Sequence, residues 1–205
     1  VLLDAAAFVP ANRLDLHGPA YTVDAACASS LIALEQACTS LARGDTDLML
    51  VGGAHLSHDL TFWATFCQLG ALSRSGQIRP LASNADGLLA GEGIGVVVLK
   101  RLADAEADGD RIYAVIAGIG AASDGRAGGL VAPAVAGHQR PVATAWMGLP
   151  FGRDALGLVE AHGTGTPAGD AAELDTMARC FGPATGALRP VIGSVKSMIG
   201  HAMPA

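Results

Sequence analysis

The 205-residue chain has few charges, few aromatic side chains and few cysteines, and each shortage argues against a class of protein. Charged residues make up 16% of the sequence and form no basic run, so no nucleic-acid partner is expected. Aromatic residues make up only 4%, too few for a surface on which bases stack. No apolar stretch reaches the roughly 18 residues that a membrane-spanning helix needs, so no membrane span is expected.

The four cysteines are widely separated along the chain, at Cys27, Cys38, Cys67 and Cys180. Their spacing fits neither a CxxC metal pair nor a small disulfide framework. No HxxxH or HExxH pattern occurs, so no metal site is expected. The N-terminus lacks the basic segment and apolar block of a signal peptide. We therefore expect a cytoplasmic protein, whose cysteines stay reduced.

Hydrophobic residues make up 51% of the chain, and they fall into alternating strand and helix patterns. Strands are predicted at 21–26, 48–52, 93–100, 111–120, 156–160 and 191–195. Helices are predicted at 27–43, 60–69, 104–108, 138–147 and 171–180. Several strands are continuous apolar runs, which is typical of a sheet covered by helices on both faces. The pattern indicates an α/β fold in a single domain.

Apolar residues recur at helical spacing in two of the predicted helices. The buried face is predicted at Leu31, Leu34, Cys38 and Leu41 in the first of them, which should stop at Gly44. In the helix at 171–180 it is predicted at Leu174, Met177 and Ala178.

Cys27 lies in "TVDAACASSL", where a predicted strand runs through small residues into a helix. The free N–H groups and positive dipole of a helix N-terminus favour a thiolate. The alternative is a buried structural cysteine, the state of most free cysteines. Cys38 fits that structural role better, because it falls on the apolar face of the helix.

His162 follows the predicted strand "LGLVE" in a turn rich in glycine and threonine, and His201 ends "VIGSVKSMIGH" after a further strand and Lys196. Each could instead be a turn or surface histidine. A catalytic role is favoured because the same pattern occurs three times: a predicted strand leads to a reactive side chain at Cys27, at His162 and at His201. If these strands are parallel, Cys27, His162 and His201 converge at one edge of the sheet.

Two glycine-rich stretches raise the alternative of nucleotide binding. "GEGIG" at 91–95 precedes a strand, whereas a phosphate-binding loop follows a strand and opens a helix. "GTGTPAG" has the right position, but its spacing departs from GxGxxG. Dinucleotide binding is therefore the weaker interpretation.

Three blocks of the sequence resemble the catalytic blocks of β-ketoacyl synthases, the condensing enzymes of fatty-acid and polyketide assembly. They are "VDAACASSL" around Cys27, "EAHGTGTPAGD" around His162 and "GSVKSMIGH" around Lys196 and His201. The stretch at 78–101 is also similar to the family, although Leu81 stands where the family usually has Phe. The resemblance runs from about Asn12 to Ala205.

The resemblance implies a thiolase-like α/β fold with two related halves in αβαβα layers. Because that domain is about twice this length in the family, residues 1–205 are expected to form a partial domain. They would span the end of its N-terminal half and part of its C-terminal half. The fold of this chain is therefore expected to be incomplete.

The resemblance also implies roles for individual residues. Cys27 would accept an acyl chain, and His162 and His201 would assist loss of CO₂ from a malonyl thioester. Lys196 would organise the site electrostatically together with Glu173. Thr164 and Thr166 match the threonines that contact the phosphopantetheine arm.

The implied partners are acyl carrier protein, acyl and malonyl thioesters, and a second copy of the chain in a homodimer. No directly bound cofactor is expected, because the substrates travel on the phosphopantetheine of the carrier protein. Two alternatives remain. One is a Cys-His hydrolase, in which the second histidine and Lys196 have no evident role. The other is a non-catalytic chain-length partner protein, against which the presence of Cys27 argues.

Overall fold

A computed structural model describes residues 5–56, 59–126, 133–182 and 190–205. The helices are α1 (Ala5–Arg13), α2 (Ser29–Arg43), α3 (Leu60–Gln68), α4 (Leu102–Asp108), α5 (Val135–Trp146), α6 (Pro167–Phe181) and α7 (Lys196–Ile199). The strands are β1 (Leu48–His55), β2 (Gly93–Lys100), β3 (Leu158–Glu160) and β4 (Val191–Gly193). The chain divides into two compact units, one of residues 1–54, 94–115 and 204–205 and the other of residues 55–93 and 116–203.

The first unit is built on the pairing of β1 with β2, with its buried side chains at Ala37, Leu41, Val51 and Ala105. Helix α2 ends at Gly44, which adopts the left-handed conformation (φ 76°), as the sequence predicts. After β2, the Arg101 guanidinium donates hydrogen bonds to the carbonyls of Leu41 and Thr46. It thereby connects the C-terminal end of α2 to the end of β2.

The predicted buried face of α2 is only partly correct. Leu41 is buried together with Ala37, but Leu31 is 63% exposed. The reason is that Leu31 and Leu34 line an open apolar cavity of about 270 Å³ instead of packing in the core.

The second unit contains β3 and β4, which are parallel with Leu158 opposite Val191 and Glu160 opposite Gly193. Helix α6 follows β3 and packs against α5. The residues of α6 that are buried are Asp170, Thr176 and Cys180, whereas Leu174 is exposed. The predicted apolar face of this helix is therefore wrong: the buried Asp170 accepts an N–H from the preceding loop, and the buried Thr176 donates to the carbonyl of Ala172 within the helix.

Two predicted strands are absent from the described residues. Residues 21–26 contain only a single bridge, between Ala25 and Cys27. Residues 111–120 pair with no described strand; Gly118 and Gly120 instead bring the backbone against α5. A Cβ atom at Gly118 would lie 2.0 Å from the carbonyl oxygen of Ala145, so this close approach requires glycine.

Among the described residues, no helix is both long enough and apolar enough to cross a bilayer.

Candidate active site

The ends of β3 and β4 bring the segments of His162 and Lys196 to the same edge of the second unit. The two strands are parallel, and the ladder continues where Ala161 donates its N–H to the carbonyl of Gly193. Beyond the strands, the Glu160 carboxylate accepts the N–H of Val195 at 2.7 Å. The expected convergence of Cys27, His162 and His201 depended on parallel strands, and β3 and β4, which precede the two histidines, are parallel.

Glu173 fixes the backbone at His162. Its two carboxylate oxygens accept the N–H groups of His162 at 2.6 Å and of Gly163 at 2.7 Å. Glu173 lies on α6, so this helix holds the loop that carries the imidazole. Hydrogen bonds to an ionised acceptor are about twice as strong as those between neutral groups. Glu173 was expected to act electrostatically with Lys196; its observed contacts are to the backbone of the His162 loop.

His201 forms three hydrogen bonds with backbone groups and is only 3% exposed. Its N–H donates to the carbonyl of Leu89 at 2.7 Å, and its carbonyl accepts the N–H of Gly91 at 2.9 Å. Its ring Nδ1 accepts the N–H of Met203 at 3.1 Å. Because a backbone N–H can only donate, Nδ1 carries no proton in this geometry, and the neutral ring bears its proton on Nε2.

The imidazole rings of His162 and His201 lie in an edge-to-face arrangement. The ring centroids of His162 and His201 are 5.4 Å apart, with an interplanar angle of 87°. Burial lowers the pKa of His201 from 6.5 to about 4, and the charges of His162, Lys196 and His55 act in the same direction. Burial and Lys196 also lower the pKa of His162, against the opposing effect of Glu173. Both rings are therefore neutral near pH 7 and can each offer one N–H donor.

Lys196 begins α7 and is half-buried. Its positive charge lowers the pKa of both His162 and His201. An ammonium group close to two neutral imidazoles makes the site electropositive, so it can stabilise a negative charge that develops on a bound substrate.

Thr164 and Thr166 lie in the turn after His162, and their hydroxyls are 2.8 Å apart. The turn is held by Asp170, a buried carboxylate that accepts the N–H of Gly165 at 3.1 Å and of Leu81 at 2.7 Å. Asp170 therefore supports the site, and the sequence analysis missed it. The available signal was an acidic residue in the first turn of a helix that follows a glycine-rich loop.

Cys27 belongs to the first unit, where it is exposed in a tight turn just before α2. The helix begins at Ser29, not at Cys27 as predicted, because the intervening residues form the turn. Ala26 adopts a left-handed conformation (φ 51°), which is uncommon for a residue other than glycine. The Ser29 hydroxyl accepts the N–H of Ala25 and donates to the carbonyl of Ala26, closing the turn.

The second unit thus brings together His162, His201 and Lys196 with the supporting side chains of Thr164, Thr166 and Glu173. The meeting of Cys27 with the two imidazoles stays a prediction.

Comparison with protein families identifies the class of this fold and site. Residues 4–105 match the beta-ketoacyl synthase N-terminal domain, and residues 113–205 match the beta-ketoacyl synthase C-terminal domain. The chain belongs to the β-ketoacyl synthase family, whose general activity is the condensation of acyl thioesters. The resemblance drawn from the three sequence blocks is confirmed.

Particular relatives place the chain among polyketide synthases. It is 45% identical over 200 residues to a phenolphthiocerol/phthiocerol polyketide synthase of Mycobacterium bovis, covering 93% of this chain and 10% of that protein. It is 41% identical over 194 residues to erythronolide synthase EryA3 of Saccharopolyspora erythraea, covering 94% of this chain and 6% of that protein. The chain therefore spans about a tenth or less of these relatives.

Solved structures show the same fold. The ketosynthase from module 6 of the bacillaene synthase of Bacillus subtilis superposes with a TM-score of 0.93 at 37% identity, covering 100% of this chain and 38% of that one. The ishigamide ketosynthase/chain length factor gives a TM-score of 0.87 at 33% identity, covering 97% of this chain and 48% of that one. The predicted thiolase-like α/β fold is confirmed.

Proposed function

We propose that this chain carries the condensing site of a polyketide ketosynthase, in which Cys27 is acylated and a malonyl thioester is decarboxylated against His162 and His201. The observation that supports this most directly is the pair of neutral imidazoles, 5.4 Å apart between ring centroids, beside the Lys196 ammonium group. Family membership supports the assignment of the reaction class.

In the first half-reaction, the thiolate of Cys27 attacks the carbonyl carbon of an acyl thioester. A new C–S bond forms to Cys27, and the carrier thiol leaves with the proton that Cys27 gave up. Sulfur suits this step because a thiolate is both a strong nucleophile and a good leaving group. The exposure of Cys27 and its place before α2 support the assignment.

In the second half-reaction, the C–C bond to the malonyl carboxylate breaks and CO₂ leaves. The electron pair moves into the thioester, so negative charge develops on its oxygen. The Nε2–H of His201 is suited to donate to that oxygen, because Met203 occupies Nδ1. Loss of a single donor of this kind typically slows a reaction by about 10²–10³.

Condensation follows when the enolate carbon attacks the acyl carbonyl on Cys27. The C–S bond breaks, the thiolate of Cys27 is regenerated and a β-ketoacyl thioester remains on the carrier. A neutral His162 is suited to donate a second hydrogen bond during these steps, and Lys196 stabilises the negative charge.

The substrates that we propose are acyl and malonyl groups on the phosphopantetheine arm of acyl carrier protein. Thr164 and Thr166, whose hydroxyls lie 2.8 Å apart, are the proposed contacts for that arm. No other cofactor is proposed. The names of the polyketide synthase relatives support carrier-bound substrates.

We propose that residues 1–205 form part of one ketosynthase domain, spanning the end of its N-terminal half and part of its C-terminal half. The 38% coverage of a solved ketosynthase chain supports this. We also propose that the domain acts as a homodimer and is cytoplasmic. The spacing of the four cysteines fits no small disulfide framework, which supports a reducing location.

The decisive experiment replaces Cys27 with Ala in the ketosynthase domain that contains this chain. Acyl-carrier and malonyl-carrier thioesters are supplied, and acyl-enzyme and β-ketoacyl product are followed by mass spectrometry. Cys27→Ala should abolish both acyl loading and condensation. Cys67→Ala is the matched control, because Cys67 is also exposed, and both activities should persist in it.

The products distinguish the alternatives. Full condensation by Cys27→Ala would refute the assignment. Release of free acid from the acyl thioester by the unaltered protein, without C–C bond formation, would indicate a hydrolase. A Cys27 that does not react with a thiol-directed acyl analogue would indicate a non-catalytic partner protein.

A further inference from the structure

One short segment, residues 87–91, contacts the loops of both histidines in the second unit. Its last residue, Gly91, opens the "GEGIG" stretch that the sequence analysis compared with a phosphate-binding loop. The proposed condensing function leaves this glycine-rich stretch without a role.

At one end of the segment, Gly87 meets the loop that follows His162. The N–H of Gly87 donates to the carbonyl of Gly165 at 2.9 Å. A Cβ atom at Gly165 would lie 2.9 Å from the carbonyl oxygen of Gly87, too close for an ordinary contact. The two backbones can therefore approach this closely only because Gly165 has no side chain.

At the other end, residues 89–91 pair with His201. The N–H of His201 donates to the carbonyl of Leu89 at 2.7 Å, and the N–H of Gly91 donates to the carbonyl of His201 at 2.9 Å. A Cβ atom at Gly91 would lie 2.3 Å from the carbonyl oxygen of Ile199 and 3.1 Å from the carbonyl carbon of Gly200. Both atoms are backbone, so neither can rotate away as a flexible side chain would.

We propose that the 87–91 segment sets the distance between the two imidazoles, with Gly91 as the positioning residue for His201. Each end of the segment is attached to one histidine-bearing loop by backbone hydrogen bonds and by an approach that excludes a Cβ atom. This inference rests on the proposed function, because it assigns a role within the same reaction.

The geometry gives the size of the effect. An ordinary contact between a carbon and a carbonyl oxygen needs about 3.3 Å, so a Cβ at Gly91 would push the 199–201 backbone away by about 1 Å. A displacement of about 1 Å in a reacting geometry can cost about 10²-fold in rate. The proposed acylation of Cys27 uses no hydrogen bond from His201, so its rate should not depend on this contact.

The test compares Gly91→Ala with Gly95→Ala in the ketosynthase domain, measuring malonyl decarboxylation and Cys27 acylation separately. Gly95 is the matched control, since it lies in the same stretch and a Cβ there would meet nothing within 4 Å. In Gly91→Ala we expect decarboxylation to fall about 10²-fold while acylation changes less than about 3-fold. Gly95→Ala should leave both rates unchanged.

Equal decarboxylation by the two variants would overturn the proposal, as would a parallel loss of both rates in a folded Gly91→Ala protein. If Gly91→Ala does not fold, hydrogen exchange of the unaltered protein decides. The Gly91 and His201 amides should then exchange slowly and together, and rapid exchange of either one would overturn the proposal. Failure of the proposed function would be seen separately, as an unaltered protein that neither acylates nor decarboxylates.

Discussion

Acidification should destabilise the protein through the buried imidazole of His201. The pKa of His201 is about 4 in the folded state and close to 6.5 when the ring is in water. At pH values between these two pKa values, the imidazole of His201 is protonated in the unfolded chain and neutral in the folded chain. Stability therefore falls as the pH falls from 6.5 towards 4, since the unfolded state gains from protonation.

The size of this effect follows from the same two values. One pKa unit corresponds to about 1.4 kcal/mol. A pKa lowered from 6.5 to about 4 therefore reduces the free energy of unfolding by about 3 kcal/mol once the pH is below both values. His201 is 3% exposed, so solvent screening reduces this little. Most of the loss, about 2–3 kcal/mol, should occur between pH 7 and pH 4.5.

Urea unfolding at a series of pH values between 7 and 4.5 measures the effect. In His201→Gln the pH dependence should be shallower than in the unaltered protein by about 2–3 kcal/mol over this range. His17→Gln is the control for the removal of a histidine, because the His17 side chain is 85% exposed and its replacement leaves the buried ring of His201 in place. The pKa of His162 is also lowered and its charge interacts with His201, so the difference between the two proteins includes this mutual interaction.

The reasoning would be refuted if His201→Gln and the unaltered protein lost stability equally on acidification. The ring-proton chemical shifts of His201 provide an independent measurement in the unaltered protein. A midpoint near 6.5 would mean that the ring is not held neutral by burial.

Two further predictions concern backbone contacts. Glu173→Gln should lower the free energy of unfolding by about 1–3 kcal/mol in urea titrations, because a neutral amide replaces the carboxylate that accepts two N–H groups. Asp175→Asn on the same helix removes only an exposed ion pair and should cost clearly less; equal losses would contradict the role of Glu173. Gly118→Ala should lower the melting temperature sharply, because its Cβ would lie 2.0 Å from the carbonyl oxygen of Ala145. Gly157→Ala, where a Cβ meets nothing within 4 Å, should not, and similar melting temperatures for the two variants would contradict the close approach.

The sequence predicted those elements whose formation depends on local patterns. The bounds of β2 (Gly93–Lys100) agree with the prediction, and the predicted end of α2 at Gly44 is correct. The apolar run of β2 and the glycine after α2 are signals contained within a few neighbouring residues. The order and spacing of the three blocks around Cys27, His162 and His201 were enough to identify the family.

The remaining features depend on contacts between distant parts of the chain. Residues 111–120 have the composition of a strand, but a strand also needs a neighbour, and here Gly118 packs on α5 instead. From the sequence, Asp170 is an acidic residue at the start of a helix, where a surface position is expected. Its burial depends on the N–H of Leu81, distant in sequence, which donates to its carboxylate. The Nε2–H form of His201 likewise depends on Met203, whose N–H reaches the ring only because of the local turn.

The turn at residues 24–29, which contains Cys27, includes a strained backbone conformation at Ala26. A left-handed alanine costs roughly 1–2 kcal/mol, and the hydrogen bonds that offset this cost join residues 24–29 to one another. Ser29 contributes two of them and is also the first residue of α2. Residues 24–29 are thus joined by hydrogen bonds among themselves, so substitutions in the later turns of α2 should leave the backbone conformation at Cys27 in place.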